Sequence, residues 1–127
     1  ALDEESYMGH YILGFAASLK EEWEHANEEL SLANGIRPNN AEILRCLGWV
    51  LFHLDKKVQG IVTLERALNL DPENSLSLCD LGVCYLHSRN YKKARSLFER
   101  ALDLDPQNER ARECVEMVSR LREQSAK

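Results

Sequence analysis

Proline is scarce in this chain: its 127 residues hold only Pro38, Pro72 and Pro106. Proline cannot donate an amide hydrogen bond, so each one ends a helix or sits in the first turn of the next. No pair among the four cysteines has C-x2-C spacing, which leaves out the familiar zinc and redox motifs. No apolar run approaches the roughly 20 residues of a membrane span, so no membrane insertion is expected. No basic-then-apolar leader opens the chain, and an intracellular, cytoplasmic protein is expected. The first residues, ALDEESY, are acidic and lack a Met, as expected of a piece of a longer protein. Phosphate-cradling glycine loops, GxSxG and HExxH are all missing. The histidines are His10, His25, His53 and His87, none spaced with a Cys or Asp to form a dyad on one helix face. No enzyme activity, cofactor or metal is therefore expected.

What is present fits a soluble, globular protein: 44% of residues are hydrophobic and 29% charged. One domain over residues 1–127 is long enough to bury a core. The formal net charge is −5, unevenly spread. Residues 1–40 hold eight Asp/Glu against two Lys/Arg, whereas residues 41–127 are nearly balanced. An acidic front does not suit a phosphate backbone, so nucleic acid is set aside as a partner. Cys46, Cys79, Cys84 and Cys114 lie beside Leu47, Leu78, Val83 and Val115, as reduced cysteines in a core would.

The chain repeats itself. Residues 65–78 read ERALNLDPENSLSL and residues 99–112 read ERALDLDPQNERAR. The three prolines stand 34 residues apart, and so do Leu13, Leu47 and Leu81, and Gly14, Gly48 and Gly82. Asn40, Asn74 and Asn108 keep the same step, as do Ala33, Ala67 and Ala101. Apolar residues recur at helical spacing over 75–88 and 91–104, with a short polar break, SRN, between them. Asn follows each Pro by two residues, where its side chain can cap the next helix. The repeated LDP-x-N is thus punctuation between helical hairpins. Small residues let helices approach to about 8 Å. Gly14, Gly48 and Gly82 on first helices are expected to face second helices, which carry Ala26, Gly60 and Ala94. Residues 109–123 form a further helix with Ala111, Cys114, Val115, Val118 and Leu121 on one face, a polar-backed cap to the stack. The last four residues, QSAK, are expected to fray.

On these residues the chain resembles the tetratricopeptide repeat (TPR) family. The third unit matches best, with Leu81-Gly82-x-x-Tyr85, Ala94, Phe98, Ala101 and Pro106. The second offers Leu47-Gly48, Leu64, Ala67 and Pro72, with Gly60 in place of Ala; the first offers Leu13-Gly14, Ala26, Leu30, Ala33 and Pro38 but departs at His10 and Ala17. The resemblance implies an all-α fold, a right-handed α-solenoid of antiparallel helix hairpins. Its repeats would span 7–40, 41–74 and 75–108, with the capping helix at 109–123. Trp23 stands where the third unit has Tyr91, a packing position.

The resemblance also implies a protein–protein interaction module, a scaffold, adaptor or chaperone-like domain whose first helices line a concave groove. Carried over position by position, that groove holds Met8, Tyr11 and Phe15 from the first unit, with Ser18 and Leu19. The second unit adds Arg45, Trp49, Phe52 and His53, beside Glu42. The third adds Cys79, Val83 and His87, with Leu76 and Leu86. Such a face suits an apolar or amphipathic peptide or helix of a partner protein. Arg45 and the histidines are its polar groups, and histidine changes charge near pH 6.5. Relatives that grip the C-terminal carboxylate of chaperones share a Lys/Arg–Asn set. Here Tyr11 and Phe15 occupy two of those places, and the sixth positions are Ile12, Cys46 and Asp80. No such carboxylate clamp is expected. A self-associating segment of a longer repeat protein, including a homodimer, is the alternative. The acidic EEWEHANEE stretch reads as a solvated face, or as a steering surface for a basic partner.

Overall fold

The computed structural model describes residues 2–126, and the side chains of residues 5–124. The C-terminal fraying expected for residues 124–127 is not seen over 124–126, whose backbone continues the last helix, and Lys127 lies outside the described residues. Every regular element among the described residues is a helix. They are α1 (Leu2–Leu19), α2 (Trp23–Ile36), α3 (Ala41–His53), α4 (Lys57–Leu70), α5 (Ser75–His87), α6 (Tyr91–Leu104) and α7 (Glu109–Ala126). None is long and apolar enough to cross a membrane. Contacts divide the chain into two compact units, Ala1–Asp71 and Pro72–Lys127.

In the first unit, α1 pairs with α2 and α3 with α4, and α2 also packs on α3. The small residues sit where the helices touch. A Cβ on Gly14 would lie 2.6 Å from Leu30 Cγ, and one on Gly48 would lie 2.9 Å from the Gly60 carbonyl oxygen. Gly60 returns the contact, 2.7 Å from the Gly48 oxygen and the Phe52 nitrogen. The pairing of a glycine with a glycine brings the α3 and α4 backbones into direct contact. Around α2 and α3 the core gathers Ala17, Ala26, Leu30, Cys46, Leu47 and Val50, with Trp23 packed against it.

In the second unit, α5 pairs with α6, and α7 covers α6. A Cβ on Gly82 would meet the Phe98 ring at 2.7 Å. Ala111 and Val118 of α7 are fully buried, while Cys114, Val115 and Leu121 are half-buried.

The proline–asparagine punctuation works as the spacing predicts. Asn40 Oδ1 accepts from Ile43 N–H at 3.0 Å, Asn74 from Ser77 at 3.0 Å, and Asn108 from Ala111 at 3.1 Å. The turns inside the hairpins use a second device with no counterpart in the sequence reading. Glu21, Asp55 and Arg89, one per repeat, all take a left-handed backbone with φ of 60°, 64° and 61°. Each ends its helix in the same double bond. The residue after it donates back five positions, Glu22 to Ala17, Lys56 to Leu51 and Asn90 to Tyr85, at 2.9–3.0 Å. The left-handed residue itself donates three back, to Ser18, Phe52 and Leu86. This pair of bonds satisfies the orphan carbonyls of a helix end. Glycine is the usual residue there, so a search for glycine misses these turns.

Candidate functional site

The first helices of the first unit, α1 and α3, lie side by side, and a polar cluster joins them. Tyr11 Oη donates to Glu42 Oε1 at 3.1 Å. Arg45 Nε donates to Glu42 Oε2 at 3.2 Å, and Arg45 Nη2 donates to Oε1. Cys46 Sγ stands 3.6 Å from both the carboxylate and the guanidinium. The 3.6-residue period of the helix puts residues 42, 45, 46 and 49 on one side of α3.

The electrostatics follow from that packing. Burial acts to raise the Glu42 pKa. Hydrogen bonds and charge from Arg45, with help from Tyr11, outweigh it and hold the carboxyl below its usual value of 4.5. Burial, and then the Cys46 and Glu42 charges, push the Tyr11 hydroxyl well above its usual range, with the Arg45 charge pulling less strongly the other way. Burial alone is the largest influence on the Cys46 thiol, pushed up to about 12. The cluster is therefore a carboxylate and a guanidinium flanked by a neutral phenol and a neutral thiol. None of these is a poised nucleophile or base near neutral pH.

Around it the apolar groups open outward. Met8 is 44% exposed and Phe15 38%, and the Phe15 ring lies 6.1 Å from that of Tyr11. A hollow of about 160 Å³ sits beside them, lined by Tyr7, Met8, Tyr11, Asn40, Glu42 and Ile43. At the far end of α3, His53 stacks on Trp23 at 4.3 Å with rings 6° from parallel, and meets Trp49 edge-on at 4.7 Å. Trp23, at its packing position, thus also fixes the orientation of His53.

Of the residues expected on this face, Met8, Tyr11 and Phe15 lie on α1 and Glu42, Arg45 and Trp49 on α3, with Glu42 joining Tyr11 to Arg45. Three assignments change. Arg45 does not offer an open cation: its side chain is 12% exposed, and its guanidinium is held by Glu42. Phe52 is buried because it lies where α3 meets Gly60 of α4, under Lys57. Cys79 is buried because it faces α7, within reach of Asn108. In the second unit Val83 is half-buried and His87 exposed. Asp80, at the sixth position of the third repeat, is buried and accepts from Arg110 Nη2 of α7 at 3.1 Å. Among the described residues no group of three or more His, Cys, Asp or Glu is gathered to hold a metal ion.

Sequence reasoning missed one further cluster. His10 Nδ1 lies 2.6 Å from Glu29 Oε2, and His25 Nε2 lies 3.7 Å from Glu29 Oε1. His10 occupies the place of the fully buried Leu44 and Leu78 in the later repeats. The 34-residue register holds that signal: a histidine where the other repeats have leucine needs a polar partner.

With this geometry in hand, the chain can be set beside known proteins. Residues 75–108 match the family model described as tetratricopeptide repeat. No curated protein sequence matches the chain. Among solved structures, the chain is similar to the Arabidopsis OM64 TPR domain. The TM-score is 0.87 and the identity 22%, over 93% of this chain and 98% of that one. It is also similar to the Sgt2 TPR domain from Aspergillus fumigatus, with a TM-score of 0.86 and 20% identity over 94% and 81% of the two chains. A third is the first TPR of Spaghetti (RPAP3) bound to the HSP90 peptide SRMEEVD, with a TM-score of 0.85 and 16% identity over 92% and 93%. The chain has the TPR fold: three helix hairpins of that type, followed by α7.

Proposed function

We propose that the chain is a protein-binding module, a scaffold or adaptor, that receives an apolar or amphipathic peptide or helix of a partner across α1 and α3. The observation that carries this reading is the exposure of Met8 and Phe15 beside the ring of Tyr11. Large exposed apolar groups next to aromatic anchors are what helix-in-groove recognition uses. A structural neighbour that holds a peptide supports the reading in kind.

The ligand differs in charge from that neighbour's acidic tail. The cation of this face is already spent on Glu42, whose side chain stays 39% exposed. Residues 1–40 carry a strong acidic excess. A peptide with an apolar stripe and basic flanks is attracted, and a free carboxylate is not.

The test is a titration of three peptides followed by Trp fluorescence: an amphipathic helix with Lys flanks, the same helix with Glu flanks, and SRMEEVD. Tightest binding of the first, weakening with salt, is expected. SRMEEVD binding as tightly as the basic peptide would contradict the reading.

A further inference from the structure

The 34-residue register assigns each first-helix position a counterpart, and at three of them α1 is the exception. Gly9, Leu13 and Ala16 correspond to Ile43, Leu47 and Val50 on α3, and to Ser77, Leu81 and Cys84 on α5. All six counterparts are buried. Gly9, Leu13 and Ala16 are exposed; Leu13 is 52% open where Leu47 is 8%. In the first unit, α2 is the helix that covers the α3 set, with Ala26 and Leu30 against Leu47 and Val50. The α1 face therefore has the pattern that a helix covers elsewhere in the same fold, and among the described residues no helix covers it. A Cβ on Gly9 would meet nothing within 4 Å.

The chemistry of this face matches itself. At about 100° per residue, Gly9 and Ala16 lie on one line, with Glu5, Ile12, Leu13 and Lys20 within about 50° of it. Those residues are placed symmetrically about the midpoint between Ile12 and Leu13. Running the helix antiparallel to a copy of itself sets Gly9 against Ala16, Ile12 against Leu13, and Glu5 against Lys20. Small residues then meet at the crossing, where close approach requires them. Apolar groups meet in the middle, and opposite charges meet at both ends. Glu5 and Lys20 are exposed and available for this. A two-fold interface needs a self-complementary patch of this kind.

We propose that this face of α1 is a homodimer interface, formed by antiparallel packing on α1 of a second copy. It is a different side of α1 from Met8, Tyr11 and Phe15, so the dimer leaves the peptide-binding face open.

Sedimentation equilibrium of the whole chain over a wide concentration range tests this. The expected result is a reversible monomer–dimer equilibrium. Gly9→Leu fills open space in the monomer, so helicity and melting should hold while the dimer weakens at least about tenfold, because the symmetry introduces the change twice. Glu5→Lys alone and Lys20→Glu alone should each weaken the dimer several-fold. Combining them should restore it. A chain that stays monomeric at every concentration would overturn the proposal and leave the face to a helix of other chemistry. A dimer untouched by Gly9→Leu, or charge reversals that fail to compensate, would overturn it by placing the contact elsewhere.

Discussion

Each glycine of this chain answers to what its missing side chain would touch. A Cβ on Gly60 would meet backbone atoms of Gly48 and Phe52 at 2.7 Å, and backbone cannot swing aside. Gly60→Ala should destabilise by about 1–3 kcal/mol through overpacking. Gly9→Ala should stabilise the helix by about 0.5–1 kcal/mol, since alanine loses less freedom on folding and nothing obstructs it. Thermal melts of the two variants should move in opposite directions. Glu42 gives a pH signature at the same scale. Its folded pKa lies below the usual 4.5, so its contribution is present above that value and lost as pH falls through the folded pKa. The melting temperature of wild type should therefore exceed that of Glu42→Gln near neutrality, and the gap should close on acidification below about pH 4. A gap that widened in acid would mean that the Arg45 pairing is not what lowers the pKa. Burial also pushes the Cys46 and Cys84 thiols up to about 12. Half-buried Cys114 should label first with a thiolate-seeking reagent at pH 8, and those two only as fast as the protein opens.

Elements were legible in the sequence where one residue does one job. Pro-x-Asn told where helices begin, because an asparagine cap is a local bond to a backbone N–H three residues on. Asn74→Ala should cost about 1 kcal/mol in a denaturant melt. Leu-Gly told which helix faces meet, because the need for a small residue survives any change of neighbours. The SRN break showed where one hairpin turns, but the shape of the turns was not legible, since Glu21, Asp55 and Arg89 share a backbone conformation and no side-chain chemistry. A left-handed conformation costs an ordinary residue about 1–2 kcal/mol that glycine avoids. Arg89→Gly should therefore be neutral or stabilise by up to about 1 kcal/mol, read by the same melt. Position counting placed Tyr11 and Phe15 on a first helix and Arg45 and Trp49 on the next, and those helices form. It could not say that Glu42 would engage Arg45, nor that Phe52 and Cys79 would turn toward α4 and α7. Glu42 and Arg45 are an i, i+3 pair within reach of the helical period, but which partner the guanidinium takes is settled by packing, and the burial of Cys79 depends on α7, distant in sequence.

For the molecule as a whole, the repeat fixes the scaffold, and the first repeat departs from it at the places where both proposed surfaces lie. The second and third repeats fill their packing positions with Leu44, Leu47, Leu78 and Leu81, all buried. The first repeat puts His10 and an exposed Leu13 at the corresponding places and exposes Met8 and Phe15. Both proposed surfaces therefore lie on α1, the peptide-binding one against α3 and the self-pairing one away from it. The most direct test of the central claim is amide chemical-shift mapping of the labelled chain with the basic amphipathic peptide. The account predicts the largest shifts at residues 8–15 and 42–49, abolished by Met8→Asp with Phe15→Asp while the fold is kept. Shifts confined to α7 or to the outer face of α2, or unchanged by that double substitution, would contradict it.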